Sequence, residues 1–322
     1  MKTKFKSFLR AAYHSFCGAV CAGAVMLMAS SVQAQNLFVT EIYNAGSTYE
    51  ITPSGVKSTF VPGLNGIGLA FDSAGDLFVA RRSLISEVTP NGNVSVFTSS
   101  VAVAYALAFN SAGDLFVSDS GSGCIYEFTR NGLRSTFASG LGSPTFLTFN
   151  RAGDLFVPDF YSGNIYEFTP SGVKSTFASG LDSPNGLAFD SAGNLFVANW
   201  GGTISEFGQS GNLINASFAT GLNHPYAVAI NGADDVFVAD SGSGKIYEYT
   251  PSGVKSTFAS GLIEAVTGLA FQPVPEPSAL GLLVVGATAF LVRRRQQFWK
   301  VSPNSSPKVT PDEQFGGGKG AI

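Results

Sequence analysis

The sequence predicts an all-β chain whose main domain is a six-bladed β-propeller with 3+1 strand closure. Three observations lead there. A unit recurs at spacings of 38 to 41 residues, marked by Phe71, Phe109, Phe149, Phe189, Ile230 and Phe271. Each unit divides into four short apolar runs separated by turn residues. The two ends of the repeat region hold complementary fragments of one unit.

A fixed period signals an array, and a four-stranded propeller blade occupies about 40–45 residues. The fullest unit runs Ser183-Pro184-Asn185-Gly186-Leu187-Ala188-Phe189-Asp190-Ser191-Ala192-Gly193-Asn194-Leu195-Phe196-Val197 and continues as Thr203-Ile204-Ser205-Glu206-Phe207. In the third unit the four runs are Phe146–Phe149, Asp154–Val157, Ile165–Phe168 and Lys174–Ala178. Tyr166-Glu167-Phe168 alternates apolar and polar, as a strand with two unlike faces does. The connector Thr169-Pro170-Ser171-Gly172 has Pro second and Gly fourth, which favours a type I turn. Helices are excluded, because the runs are short and glycine keeps interrupting them.

Residues 37–61 hold only three runs, Leu37–Val39, Tyr49–Ile51 and Lys57–Val61. The missing first run stands at the far end as Gly268-Leu269-Ala270-Phe271. One C-terminal strand beside three N-terminal strands closes a ring. Five complete units and this composite make six blades, and closure removes exposed sheet edges. The repeated Phe residues are expected to pack blade against blade, each worth roughly 1.5–3 kcal/mol when buried.

The chain has 322 residues, of which 13% are charged, about half the usual share. Residues 1–34 read as a signal peptide. Lys2, Lys4, Lys6 and Arg10 form a basic start, an apolar stretch follows, and Val32-Gln33-Ala34 offers a cleavage site after Ala34. Cys17 and Cys21 lie in this stretch, but Gly18-Ala19-Val20 lacks the large aliphatic residue of a lipoprotein signal. Removal of the leader leaves Cys124 alone, so no internal disulfide forms. The remaining chain carries 15 Lys and Arg against 22 Asp and Glu, and residues 35–272 carry 9 against 19. Nucleic-acid binding needs clustered cations. Residues 35–272 offer no such surface.

The pattern Gly-Leu-Ala-Phe-Asp-x-Ala-Gly-Asp-Leu-Phe-Val-x-Asp occupies Gly68–Ala80, with Arg81 in place of its last Asp, and recurs over residues 36–272. It resembles the NHL-type propellers and, more loosely, the gluconolactonase-like and streptogramin-lyase-like propellers. That resemblance speaks for the fold and says little about function.

A second resemblance covers residues 273–295. Val274-Pro275-Glu276-Pro277-Ser278 precedes an apolar run over 279–292, and Arg293, Arg294 and Arg295 end it. This looks like a PEP-CTERM sorting signal, which implies an exosortase-type processing enzyme and a producer of exopolysaccharide. As a helix the run would span about 21 Å at ~1.5 Å per residue, short of the ~20 residues of an ordinary spanning helix. A short membrane anchor is the alternative, and either reading puts the arginines in the cytoplasm. Residues 296–322 are rich in Pro, Ser, Gly and Lys and read as a disordered tail. The expected destination is the envelope, outer surface or extracellular matrix, reached from a membrane-held precursor.

Candidate chemistry gathers at one face of the ring. Residues leaving the second strand are Glu41, Arg81, Asp119, Asp159, Asn199 and Asp240. Residues entering the first are Ile67, Tyr105, Thr145, Asn185, Tyr226 and Thr267. Both sets should rim the central channel. The acids either hold a weakly bound Ca²⁺ or another divalent cation through oxygen ligands, or cap turns through backbone amides. The gluconolactonase-like resemblance implies a metal held by an acid, an Asn and an Asp; Asn185 matches in Pro184-Asn185-Gly186, but no loop offers the Asp. The lyase-like resemblance implies a His base, and His224 is the one His beyond the leader. Ser-Gly-Ser-Gly at 120–123 and 241–244 lacks the Lys and the helix of a phosphate loop. No residue is assigned a catalytic role and no cofactor is expected. The reading is a binding or structural protein of the envelope or matrix; the alternative is a metal-assisted hydrolase or a lyase.

Overall fold

The computed structural model describes residues 35–42, 46–262 and 265–273. The leader, the Pro275-Glu276-Pro277 motif, the arginine triplet and the tail lie outside the described residues. The described chain is all β, arranged as six four-stranded antiparallel sheets.

Blade 6 opens the chain with β1 (Leu37–Glu41), β2 (Thr48–Ile51) and β3 (Lys57–Val61). Blade 1 holds β4 (Leu69–Phe71), β5 (Leu77–Arg81), β6 (Leu84–Val88) and β7 (Val94–Thr98). Blade 2 holds β8 (Ala104–Phe109), β9 (Leu115–Asp119), β10 (Cys124–Phe128) and β11 (Arg134–Ala138). Blade 3 holds β12 (Thr148–Phe149), β13 (Leu155–Asp159), β14 (Asn164–Phe168) and β15 (Lys174–Ala178). Blade 4 holds β16 (Pro184–Phe189), β17 (Leu195–Asn199), β18 (Thr203–Phe207) and β19 (Leu213–Ala219). Blade 5 holds β20 (Pro225–Ile230), β21 (Val236–Asp240), β22 (Lys245–Tyr249) and β23 (Lys255–Ala259), and β24 (Val266–Phe271) completes blade 6.

The closure is the expected one. β24 pairs antiparallel with β1, Leu37 opposite Phe271 and Val39 opposite Leu269. The inner strands β4, β8, β12, β16, β20 and β24 each touch the next around a closed ring. Most expected runs shift by one or two residues at an end, as Asp154–Val157 does to Leu155–Asp159, and one inner run is cut short. The inner run expected over 146–149 is a strand only at Thr148–Phe149, with an isolated bridge from Pro144 to Asp159. Phe146 stands where the other inner strands have Gly68, Ala106, Gly186, Ala227 and Gly268. At Gly186 an added Cβ would lie 2.6 Å from the Tyr226 carbonyl oxygen and 2.7 Å from the Ala227 Cα. Neighbouring inner strands leave room there for a methyl group at most, as at Ala106 and Ala227, so a bulky side chain needs an altered path.

Burial explains the composition. The second strands are buried along their length, as in Leu115–Asp119, because each is covered by a neighbouring blade on either side. Outer strands such as Lys174–Ala178 expose their first three residues. A Phe from each second strand bridges two partners. Phe116 meets Phe137 of its own outer strand and Phe149 of the next inner strand, both at 5.0 Å and edge to face. The same inter-blade contact recurs as Phe38–Phe71, Phe78–Phe109, Phe156–Phe189 and Phe237–Phe271, each at 5.0 Å. Edge-to-face pairs add about 0.5–1.5 kcal/mol beyond their buried area.

Deleting residues 264–272 removes β24 and with it the Phe237–Phe271 contact. The shortened chain is expected to lose its cooperative thermal transition. A deletion protein that melts like the full chain would show that closure does not hold the ring.

Candidate functional site

The loop leaving each second strand and the loop entering each inner strand meet at one end of the channel. The acids expected there are not an open rim. Glu41 is fully buried, Asp119, Asp159 and Asp240 are at most 2% exposed, and Asn199 is 4% exposed. Their side chains serve the backbone. Asp119 accepts hydrogen bonds from the amides of Ala102 (2.7 Å), Val103 (3.0 Å), Gly121 (3.1 Å) and Ser122 (3.2 Å). Asp159 accepts from Gly142 (2.7 Å) and Ser143 (3.0 Å), and Asp240 from Asn223 and Ser243. Each aspartate therefore ties down the loop that brings the chain into its own blade. Of the two readings of these acids, the capping one describes their geometry. Asn199 donates to Thr203 (3.1 Å) and Ser205 (2.8 Å) instead. Glu41 hydrogen-bonds with Tyr49, whose phenol is pushed up by burial first and then by the Glu41 charge. Among the described residues no three of His, Cys, Asp and Glu converge as a metal-binding group.

Asn185 sits deeper and has different company. It is fully buried, its Oδ1 accepts from the Tyr105 hydroxyl at 3.2 Å, and its Nδ2 meets no partner among the described residues. Tyr105 belongs to blade 2 and Tyr226 to blade 5, on opposite sides of the ring. Their rings nonetheless stack at 5.8 Å and 15°, so together they bridge the channel. Phe146 meets both edge on, at 5.9 and 6.0 Å. The irregular blade 3 strand thus delivers a ring to the axis. Burial pushes the Tyr105 phenol up to about 12 against the pull of hydrogen bonds with Tyr226 and Asn185. Around this plug, Thr145 donates to the Asn185 carbonyl (3.1 Å) and Thr267 to the Gly66 carbonyl (2.8 Å). These bonds stitch neighbouring inner strands together.

The aromatic surface continues outward. Tyr226 touches Trp200 at 6.0 Å, Trp200 stacks on His224 at 4.5 Å, and Phe160 approaches Trp200 at 6.0 Å. Tyr161 lies beside Phe160 and is 80% exposed. His224 is exposed and held at a left-handed backbone angle of 57°. Sequence reasoning did not assemble this group. The available signal was departure from the repeat: Phe160 and Trp200 occupy the place of Ser120 and Ser241 after the strand-end acid or amide. Cys124 is half-buried and forms no disulfide among the described residues.

No protein-family model and no curated protein sequence matches the chain. Solved structures do. A chain of the nidogen/laminin complex superposes with a TM-score of 0.68 at 19% identity, covering 75% of this chain and 99% of its own. A catalytically inactive histidine-to-alanine form of virginiamycin B lyase from Staphylococcus aureus, with quinupristin, gives 0.56 at 17% identity, covering 74% and 93%. A gluconolactonase of Xanthomonas campestris gives 0.57 at 19%, covering 65% and 83%. The chain is a six-bladed propeller with structural neighbours among streptogramin lyases and gluconolactonases. At these identities the likeness is one of fold.

Two expectations follow from the site. Asp119→Ala strands four backbone donors around a buried position, and unfolding experiments should show a loss of about 3–5 kcal/mol. The second concerns alkaline pH. Below pH 10 the Tyr105 phenol keeps its proton whether the chain is folded or not. Between pH 10 and 12 the unfolded chain releases it while the folded chain holds it, so stability falls as pH rises. Tyr249 is raised to the same level, by burial first. Tyr105→Phe should flatten, without abolishing, the decline in melting temperature across that interval.

Proposed function

We propose that this chain is an exported binding protein of the cell envelope or its exopolysaccharide matrix. The observation that carries the proposal is the aromatic surface from Phe160 through Trp200 and His224 to Tyr226 at the channel mouth. Partly exposed rings side by side offer flat apolar area beside polar edges, which suits the stacking of sugar rings or of other flat groups. The aspartates of the same face are occupied with backbone amides, which supports a recognition surface over a metal-assisted hydrolase. Delivery to the surface would rest on Pro275-Glu276-Pro277, the apolar run and Arg293–Arg295, read by an exosortase-type enzyme, with membrane contact through residues 279–292.

A lyase is the second reading. It is favoured by one observation, the placement of His224 at the channel mouth of a propeller whose neighbours include a lyase inactivated by loss of a histidine. Against it stands the His224 environment. The imidazole lies flat on Trp200 at 4.5 Å, and among the described residues no carboxylate hydrogen-bonds with it to orient it as a base.

The test is co-sedimentation of the full chain with exopolysaccharide from the producing cells. Trp200→Ala should weaken binding about tenfold, while His224→Ala retains most of it; stacking groups at well-packed centres carry such losses. Replacing Pro275, Glu276 and Pro277 by Ala should leave a heavier form in the membrane fraction. Equal binding by native and Trp200→Ala protein would reject the surface. Turnover of a lactone or cyclic depsipeptide that disappears in His224→Ala would favour the enzyme.

A further inference from the structure

Blade 1 departs from the pattern that organises the channel face. In blades 2, 3 and 5 the second strand ends in Asp119, Asp159 or Asp240, and the carboxylate takes amide N–H groups of the incoming loop. The amide of Ala102, Gly142 or Asn223 is bonded in each case. Blade 1 ends its second strand in Arg81. The loop amides matching those of Gly142 and Ser143 belong to Asn65 and Gly66, in a loop one residue shorter.

With the carboxylate gone, the bonding reverses. The Arg81 Nε donates to the Asn65 carbonyl at 3.2 Å, and the Asn65 and Gly66 amides have no acceptor among the described residues. Gly66 is obligatory here, because a Cβ would stand 2.4 Å from a Val79 methyl and 2.9 Å from the Ala80 carbonyl oxygen. Arg82 follows at a left-handed angle of 51°, paired through its backbone with Ala104 beside Tyr105. Arg81, Arg82, Asn65, Gly66 and the apolar Ile42 and Leu84 line one pocket of about 130 Å³. That far exceeds the ~10–15 Å³ that one water needs. The neighbouring acid, Glu41, is engaged with Tyr49. Among the described residues neither guanidinium meets a carboxylate.

We infer that this pocket binds an organic carboxylate, which takes the place of the aspartate that blade 1 lacks. Two planar guanidinium groups suit a carboxylate in both shape and charge, and Arg81 keeps its Nη donors because only its Nε bonds the Asn65 carbonyl. The carboxylate is carried either on a sugar, as a uronate unit of an acidic polysaccharide, or by a small free acid. The inference deepens the binding function proposed above and rests on it, while using residues apart from the Trp200 surface.

Calorimetric titration of the full chain with glucuronate, trigalacturonate, acetate and glucose tests it. Saturable uptake of the carboxylates, and none of glucose, is expected. Arg81→Asp restores the aspartate pattern, so it should weaken carboxylate binding about tenfold to a hundredfold while melting no lower than the native chain. Arg82→Ala, a change at an exposed side chain, should weaken binding without moving the melting temperature. Tighter binding of uronates than of acetate assigns the sugar source; equal binding assigns the small acid. Absence of saturation by every carboxylate, or unaltered binding in both variants, overturns the inference. If that happens while polysaccharide still binds through Trp200, the pocket fails and the binding function stands. If carboxylates saturate but polysaccharide does not bind, the reverse holds.

Discussion

The contact on which the molecule depends is the edge-to-face pair between a second-strand Phe and the inner-strand Phe of the following blade. It occurs at 5.0 Å at five of the six blade junctions. At the sixth, Phe196 has Ile230 as its inner-strand counterpart, packed in the same cluster. A single blade is too thin to bury both of its faces, so its apolar residues are satisfied only by neighbours. With no disulfide in the described domain, this repeated packing is what makes six small sheets one body. It also explains a sequence rich in Phe yet poor in charge.

Such packing fixes the blades but leaves their loops to be held by other means. The strand-end aspartates do this at the channel face. Each is nearly inaccessible, and each accepts hydrogen bonds from groups that would otherwise be buried without partners. Buried carboxylates persist when several donors surround them. Blades 4 and 6 end the same strand in Asn199 and Glu41, which bond other side chains; blade 1 has an arginine and a shorter loop, and the result is a pocket in place of a fastening. The irregular blade 3 strand likewise releases Phe146 toward the axis, where it closes the channel with Tyr105 and Tyr226. Local departures from the repeat thus coincide with the features that distinguish one sector of the ring from another.

The outer strands show how the domain tolerates six free sheet edges. Four of them begin with Lys57, Arg134, Lys174 or Lys255, each folded over a tyrosine of the adjacent strand at 3.5 to 4.7 Å. A cation at the edge discourages pairing with another chain, and the ring beneath gives it a favourable seat. Blades 1 and 4 carry Val94 and Leu213 at that position.

The sequence by itself determined the period, the number of blades, the shared composite blade and the role of the repeated Phe residues. All of these are written in spacing, because each strand's alternation and each turn's Gly or Pro is a local property of the chain. It also located the strand-end acids, but not what they do. Whether Asp119 faces a channel or folds back onto Ala102 and Val103 depends on the path of a loop that has no periodicity. The aromatic surface lay further from reach. Tyr105 and Tyr226 meet only because three blades of curvature bring opposite inner strands together, and Trp200 finds His224 only where two neighbouring loops converge. Those contacts belong to the closed ring, and only the tertiary structure could decide them.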